Sequence, residues 1–147
     1  MNVRLNHREA NPKVYEAMLQ QEKTILQLGI DRTIYEIIKI RASQINGCSF
    51  CIDRHSKDFL ASGQEVARLI HIPIWRESSL FTEKEKAVLE LTEEVTKISQ
   101  GGLPEEVYIR VRKQFNEEEF ITLILAINTI NAWNRIGIST GMFPNCY

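Results

Sequence analysis

The chain has 147 residues, of which 44% are hydrophobic and 25% are charged, and its formal net charge is −1. This length and apolar content predict one domain spanning residues 1–147 with a single ordinary core. The near balance of basic and acidic residues argues against a nucleic-acid binder, which needs a basic surplus to displace counterions from phosphate. We therefore expect no nucleic-acid partner.

Nothing in the hydropathy pattern predicts a membrane segment. The densest apolar stretch, Phe120 to Ile127, is far shorter than the roughly 20 residues that a membrane span needs. The amino terminus has no apolar segment of the kind found in secretory signals, so we expect a cytoplasmic protein without membrane attachment. In that reducing compartment, three cysteines do not form a disulfide framework. The close pair Cys48 and Cys51 instead predicts a redox or metal pair, and Cys146 is expected to be an exposed thiol in the tail.

Helical start and stop signals divide the first half of the chain. Each predicted helix begins at a capping residue or a helix-opening proline and ends at glycine or before proline. The four predicted segments are Asn11–Gly29, Asp31–Gly47, Cys48–Gly63 and Glu65–Ile70, the last of which must finish before Pro73. In the second segment Arg41 interrupts a stripe of isoleucines, which predicts either an inter-helix pairing or a side chain that snorkels to solvent.

The second half of the chain continues the same pattern. A capping box at Thr82 and Glu85 opens a helix whose apolar stripe runs to Ile98 and which stops at Gly101. Pro104 opens the next helix, which ends near Phe115. Asn116 with Glu119 then caps the last long helix, which is apolar on nearly every side and is expected to be central. No segment has the period of a strand, so we predict an all-α fold, a compact bundle of six or seven helices.

Two kinds of side chain on these helices carry further predictions. The amides of Asn128, Asn131 and Asn134 lie along one edge of the last helix and predict hydrogen bonds between helices or between subunits. Because a chain of this size leaves much surface uncovered, one face of that apolar helix is expected to be covered by another subunit. Trp75 and Trp133 are interpreted as core or interface residues.

Three chemically active side chains fall on one face at the start of the third predicted helix. Cys48 and Cys51 are three residues apart, close enough to form a disulfide, and His55 follows Cys51 by one turn. The positive end of the helix dipole favours a thiolate at the first cysteine. An imidazole one turn further on can take or return a proton, or stabilise the thiolate. The spacing therefore favours redox chemistry at the two thiols.

A zinc site is the principal alternative for the same residues. A structural zinc ion needs four ligands, commonly supplied by two such pairs. The remaining candidates are unpaired and scattered along the chain: His7, His71 and Cys146. An open site with Cys48, Cys51 and His55 as its three ligands stays possible on spacing alone.

The joint spacing of four polar residues resembles a known family motif. Glu36, eleven further residues, Cys48-Ser49-Phe50-Cys51, three further residues and His55 resemble the motif E-x11-C-x2-C-x3-H. That motif belongs to the alkylhydroperoxidase D-like branch of the carboxymuconolactone decarboxylase family. The ending Ile-Asn-Ala-Trp-Asn-Arg-Ile at 130–136 is similar to that of small members of the family. Four further residues before the first cysteine add to the match: Arg41, Ser43, Asn46 and Gly47.

The resemblance implies an all-helical fold and assembly into a homotrimer or homohexamer. It also implies antioxidant thiol chemistry, as a hydroperoxide reductase or a disulfide oxidoreductase. It implies no bound cofactor or metal, because an external dithiol or redox protein acts as the reductant. It carries over Glu36, Cys48, Cys51 and His55 as the redox and proton-relay set, with Cys51 as the cysteine that attacks the peroxide. The helix dipole favours Cys48 for that role, so the two arguments disagree. Phe50 occupies the position of a second relay histidine in other members.

Two further functions stay open on sequence alone. The first is a zinc-binding or scaffold protein without turnover. The second keeps the fold but catalyses a decarboxylase-type reaction on a small organic acid, although the resemblance implies that the decarboxylase branch lacks the paired cysteines. These alternatives differ from the peroxidase in whether the two thiols are needed for activity.

Overall fold

The computed structural model describes residues 1–147, which form eight α-helices and two 3-10 helices and no strand. The all-α prediction is therefore confirmed. None of the helices combines the length and apolar character that crossing a membrane requires. The α-helices are α1 His7–Ala10, α2 Pro12–Gln27, α3 Arg32–Asn46, α4 Ser49–Ala61, α5 Val66–His71, α6 Glu83–Thr96, α7 Glu105–Gln114 and α8 Glu117–Thr140. The 3-10 helices are Ile72–Glu77 and Ile98–Gln100.

The predicted helix signals act at the residues that carry them. Asp31 caps α3 by accepting the backbone N–H of Ile34, and the boxes that open α6 and α8 are both complete. Gly47 ends α3 with φ at +73°, a left-handed conformation that a side chain would disfavour. The chain consequently reverses within one residue and enters α4 at Cys48.

Three features of the helical pattern were not predicted. The short helix α1 was not expected and brings the count to eight; the side chain of Asn6 caps it. Helix α5 ends at His71, before Pro73 as predicted, but a 3-10 helix follows at once and includes Pro73, because a proline near its start removes no needed hydrogen bond. Helix α6 ends at Thr96, so Ile98 lies in a separate 3-10 turn.

Helix α3 lies at the centre of the bundle, where it packs against α4, α6 and α8. Its buried side chains include Glu36 and Lys39 as well as its isoleucines. The larger of two apolar clusters contains both Cys48 and Cys51 together with side chains of α3, α6, α7 and α8. The reactive sulfur atoms therefore lie in the main core rather than at its edge.

The polar residues of α8 bond within this chain. The Nδ2 group of Asn46 donates to the Oδ1 atoms of Asn131 and Asn134, each at 2.9 Å. Asn134 in turn donates to Ser43 Oγ at 2.9 Å, whereas Asn128 is exposed. These contacts confirm inter-helix hydrogen bonding for two of the three asparagines. Helices of the same chain bury nine of the 24 residues of α8, and cover of its remaining face by another subunit stays a prediction.

Arg41 makes an inter-helix ion pair, as one of its two interpretations predicted. Its Nε atom lies 2.9 Å from Glu93 Oε1 on α6. Glu93 also accepts hydrogen bonds from Trp75 Nε1 at 2.9 Å and from Arg76 at 2.8 Å. Burial would raise the pKa of Glu93, but these donors and the Arg41 charge outweigh it and hold that pKa below its ordinary value.

Candidate active site

The junction between α3 and α4 brings all four predicted site residues together. Cys48 is the N-cap residue of α4, Cys51 lies in its first turn and His55 one turn further along. Glu36 projects from α3, which packs directly against α4. All four side chains are buried, and the sharp turn at Gly47 is what places the two helices side by side.

Cys48 and Cys51 are joined as a disulfide, with their Cα atoms 5.4 Å apart. Helix α8 passes close to the pair at Gly137. A Cβ atom added to Gly137 would lie 3.3 Å from Cys48 Sγ and 3.8 Å from Cys51 Sγ, so only glycine lets the helix approach without a displacement. The pair is thus a disulfide enclosed between α4 and α8.

His55 is oriented by Glu36. Its Nδ1 atom lies 3.1 Å from Glu36 Oε2, and both side chains are buried. Because an ionised carboxylate only accepts hydrogen bonds, Nδ1 carries the hydrogen and Nε2 is left as the basic nitrogen. Burial would raise the pKa of Glu36, but the hydrogen bond from His55 and the charge of Lys39 outweigh it and lower that pKa.

A second group of polar residues, which the sequence did not single out, continues from Glu36. Lys39 is 7% exposed, and its ammonium lies 3.3 Å from Glu36 Oε1 and 3.8 Å from Glu22 Oε2 on α2. The same ammonium lies 3.6 Å from the centroid of the Tyr35 ring. Glu22 accepts hydrogen bonds from the Tyr35 hydroxyl and, at 3.0 Å, from Trp133 Nε1 on α8. An unbroken series of polar contacts thus runs from Glu22 through Lys39 and Glu36 to His55.

A cavity of about 260 Å³ opens beside the disulfide. Cys51 and His55 line it, but Cys48 does not. The opposite wall is apolar and aromatic, with Tyr15 and Trp133 packed edge to face at a centroid distance of 6.1 Å. A ligand of modest size can therefore reach the sulfur of Cys51 and the imidazole of His55 together.

The amino-terminal residues complete the cavity wall. His7 and Arg8 line it, and His7 Nδ1 lies 3.1 Å from the Tyr147 hydroxyl. Burial and the charge of Arg8 lower the pKa of His7. No spacing rule connects His7 to the cysteines, so only the folded chain reveals its place. Trp133, expected in the core or an interface, is half-buried and lines the same cavity.

Phe50 also lines the cavity, so the position of a second relay histidine holds an apolar ring. His55 is therefore the only histidine that α4 contributes to the cavity. The remaining sequence candidates lie elsewhere: His71 pairs with Ser78 Oγ at 2.9 Å, and Cys146 is a half-buried free thiol rather than an exposed one.

The structure offers one group of side chains that could approach a metal ion. Donor atoms of Glu36, His55 and Asp58 all lie within 4.8 Å of one another. The Lys39 ammonium already neutralises Glu36, and a second cation beside it would be repelled. The two sulfur atoms are bonded to each other and in this state are not ligands for zinc. The arrangement therefore fits thiol–disulfide chemistry better than metal binding.

Comparison with known proteins agrees with this site. The model of the carboxymuconolactone decarboxylase family matches residues 12–94, which include all four predicted site residues. The uncharacterized protein YdfG of Bacillus subtilis (strain 168) is 43% identical over 141 residues, 96% of each chain. Alkyl hydroperoxide reductase AhpD of Rhodopseudomonas palustris (strain BisB18) is 42% identical over 41 residues, 28% of this chain and 23% of that protein.

A solved structure extends the similarity to the whole fold. The crystal structure of ATU0492, a protein of unknown function from Agrobacterium tumefaciens, superposes with a TM-score of 0.94 at 35% sequence identity. The match covers 97% of this chain and 99% of that one.

Proposed function

The chain belongs to the alkylhydroperoxidase D-like branch of the carboxymuconolactone decarboxylase family, and we propose that it is a thiol-dependent hydroperoxide reductase. The observation that carries the proposal is the shared cavity: Cys51, bonded to Cys48, faces it together with His55. The name alkyl hydroperoxide reductase carried by the Rhodopseudomonas relative supports the same reaction.

The first step is attack on the peroxide by the reduced form of Cys51. His55 Nε2 takes the thiol proton, and the imidazolium formed is stabilised by the Glu36 carboxylate. The thiolate sulfur bonds to one peroxide oxygen as the O–O bond breaks, giving a sulfenic acid on Cys51. The departing alkoxide takes the proton from the His55 imidazolium and leaves as an alcohol.

The second step closes the disulfide. Cys48 sulfur attacks the sulfenic sulfur of Cys51, the S–O bond breaks, and the released hydroxide leaves as water with the Cys48 proton. The two thiols have together lost two electrons to the peroxide. An external dithiol then reduces the pair by thiol–disulfide exchange and becomes a disulfide itself.

Access supports Cys51 as the cysteine that attacks the peroxide. Cys51 lines the cavity, whereas Cys48 does not and packs against α8. Because Cys51 is also in the first turn of α4, it shares the favourable end of the helix dipole. Both considerations support Cys51 as the attacking thiol and Cys48 as the resolving one.

A thiol titration tests the proposed function. The reduced protein is treated with one equivalent of cumene hydroperoxide, and free thiols are counted before and after. We expect two of the three thiols to be lost and then restored by dithiothreitol, with Cys146→Ser showing the same loss of two. Retention of all thiols would refute the peroxidase. If the Cys48→Ser, Cys51→Ser double variant still converted a small organic acid, the decarboxylase alternative would be supported instead. Stoichiometric zinc in the purified protein would support the scaffold alternative.

A further inference from the structure

A nearly buried cation adjoins the proton-accepting pair of the site and lines the same cavity. Lys39 is nearly inaccessible to solvent, and its ammonium contacts Glu36 Oε1 at 3.3 Å. The other oxygen of Glu36 accepts from His55 at 3.1 Å. A buried carboxylate without a compensating charge would favour its protonated form. Lys39 is therefore placed to keep Glu36 ionised while Glu36 holds His55.

Lys39 is itself held in place from the opposite side. Glu22 lies 3.8 Å from its ammonium, and the Tyr35 ring covers it at 3.6 Å. Glu22 is fixed by hydrogen bonds from Tyr35 and Trp133, so two carboxylates and two aromatic residues leave the lysine little freedom. A long, flexible side chain is rarely buried in this way unless it is paired on each side.

We propose that Lys39 is a positioning residue for the reaction: it maintains Glu36 as the charged partner of His55, and Glu22 anchors Lys39 in that position. This role rests on the proposed function, because the proton that His55 accepts is the one from Cys51. Lys39 acts through its contact with Glu36, which in turn holds His55, and its own side chain also lines the cavity.

Other charged groups face the same cavity and share in its electrostatic balance. They lie on α1 and α4 and are His7, Arg8, Arg54 and Asp58. Of these, only Asp58 approaches His55, with its Oδ2 atom 3.8 Å from Nδ1. Asp58 is half-exposed, so solvent screens it more than it screens the buried Glu36. The buried contact with Lys39 is therefore the main control on the Glu36–His55 pair.

The test measures how the thiolate fraction of Cys51 depends on pH, and it uses no peroxide. In a protein carrying Cys48→Ser and Cys146→Ser, Cys51 is the single thiol, and its alkylation by iodoacetamide is followed against pH by mass spectrometry. We expect Lys39→Met to raise the midpoint of this profile by about one pH unit, which is a roughly tenfold loss of thiolate below the midpoint. Lys39→Arg, which keeps the charge, should return the midpoint toward that of the parent.

Lys57→Met is the matched control, because Lys57 is an exposed lysine of α4 that pairs only with Asp53. Its profile should equal that of the parent. An unchanged midpoint of the alkylation profile in Lys39→Met would overturn the proposal. A fall in the alkylation rate by the same factor at every pH would overturn it as well.

Glu22→Gln distinguishes two effects of Glu22 on Lys39: holding its side chain in place and compensating its charge. It is also the second variant to use if circular dichroism shows that Lys39→Met is unfolded. Removal of a negative charge alone would lower the midpoint, because it leaves the Lys39 charge less compensated. Loss of the anchor lets Lys39 leave Glu36 and raises the midpoint, which is the result we expect. A lowered or unchanged midpoint would contradict the role of Glu22.

The two hypotheses can fail separately. If the wild-type protein does not reduce cumene hydroperoxide, the proposed function is wrong, while the alkylation profile still reports whether Lys39 governs the thiolate of Cys51.

Discussion

At the residue scale, one hydrogen bond assigns the chemical roles within the site. The contact between His55 Nδ1 and Glu36 directs the free nitrogen of the imidazole to accept a proton. Phe50 leaves no second imidazole on α4 to share that task. In the proposed reaction, the proton transfer that activates Cys51 therefore depends on His55 to a greater degree than it would in a relay with two histidines.

His55→Ala tests this dependence. General base catalysis by a positioned side chain contributes about 10²- to 10⁴-fold, so we expect the rate constant for oxidation of reduced protein by hydroperoxide to fall by that range. Stopped-flow tryptophan fluorescence or timed thiol counts measure it. His71→Ala is the control, since His71 bonds to Ser78 outside the cavity and its loss should leave the rate unchanged. A His55→Ala rate equal to wild type would exclude this residue as the base.

The two cysteines should also be distinguishable one at a time. In Cys48→Ser, hydroperoxide is expected to leave a sulfenic acid on Cys51 that a dimedone reagent traps and mass spectrometry locates. In Cys51→Ser, no sulfenic acid is expected on Cys48, because Cys48 does not reach the cavity. Trapping on Cys48 in that variant would reverse the assignment.

At the element scale, helix α3 joins the active site to the structural core. It carries Glu36 and Lys39 on one side, and through Arg41 it is bonded to Glu93 of α6. Helix α8 closes the other side of the cysteine pair, where Gly137 leaves room for the two sulfur atoms. The position of the site thus depends on the fit between three helices.

Glu93→Gln should destabilise the protein by about 3 kcal/mol at neutral pH. The substitution removes the negative charge that compensates the largely buried Arg41 guanidinium. Since the pKa of Glu93 is lower when folded, its stabilisation is complete above the ordinary value of 4.5 and is lost as the pH falls through the lowered value. Urea unfolding at neutral and acidic pH measures both effects, and the variant should show the weaker acid dependence. Glu90→Gln, whose partner Arg110 is exposed, should cost less than about 1 kcal/mol. Equal losses in the two variants would contradict a special role for Glu93.

At position 137, a larger side chain should destabilise the protein more than a smaller one. A Cβ at 3.3 Å from Cys48 Sγ is already tight, and the branched side chain of Gly137→Val should cost roughly 1–3 kcal/mol by overpacking. Gly137→Ala adds only the Cβ atom and gains helix propensity, so it should unfold at a higher temperature than Gly137→Val. Ala132→Val, on the same helix but half-buried, is the control for a valine without that close contact and should cost only about 0.5 kcal/mol. If Gly137→Val lost no more stability than Ala132→Val, α8 would be shown to move freely away from the Cys48–Cys51 pair.

At the scale of the whole molecule, local signals were sufficient for seven of the eight α-helices and for Cys48, Cys51 and His55, whereas Glu36 was predicted only from the family motif. Cys48, Cys51 and His55 lie on one helix, where spacing alone determines which side chains are neighbours. His7, Glu22 and Trp133 reach the cavity from α1, α2 and α8, and no local pattern encodes which helices will meet. Lys39 is an intermediate case: its spacing of three from Glu36 was visible, but a lysine and a glutamate on one helix usually face solvent. Only its burial distinguishes it.

The oligomeric state of the chain stays a prediction. On α8, Ile121 and Ile138 are the large apolar side chains that are exposed. A second group lies on α5 and the following 3-10 helix, where Val66, Ile70 and Ile74 are each more than half exposed. Neighbouring exposed apolar residues of this kind are typical of contact surfaces, so we expect the surface formed by these three residues to join copies of the chain.

Sedimentation at micromolar concentration tests this expectation. A homotrimer or homohexamer is expected for the wild-type protein, and Ile70→Glu combined with Ile74→Glu should lower the observed mass, because two charges buried at a subunit contact would have no partners. Ile109→Glu, at an exposed isoleucine on α7, is the control and should sediment as wild type. A dominant wild-type species near the 17.0 kDa chain mass would show that the chain is stable alone and that these side chains remain in solvent. An unchanged mass in the double variant would place the subunit contact on another face, such as the outer side of α2, where Val14 and Leu26 are also exposed.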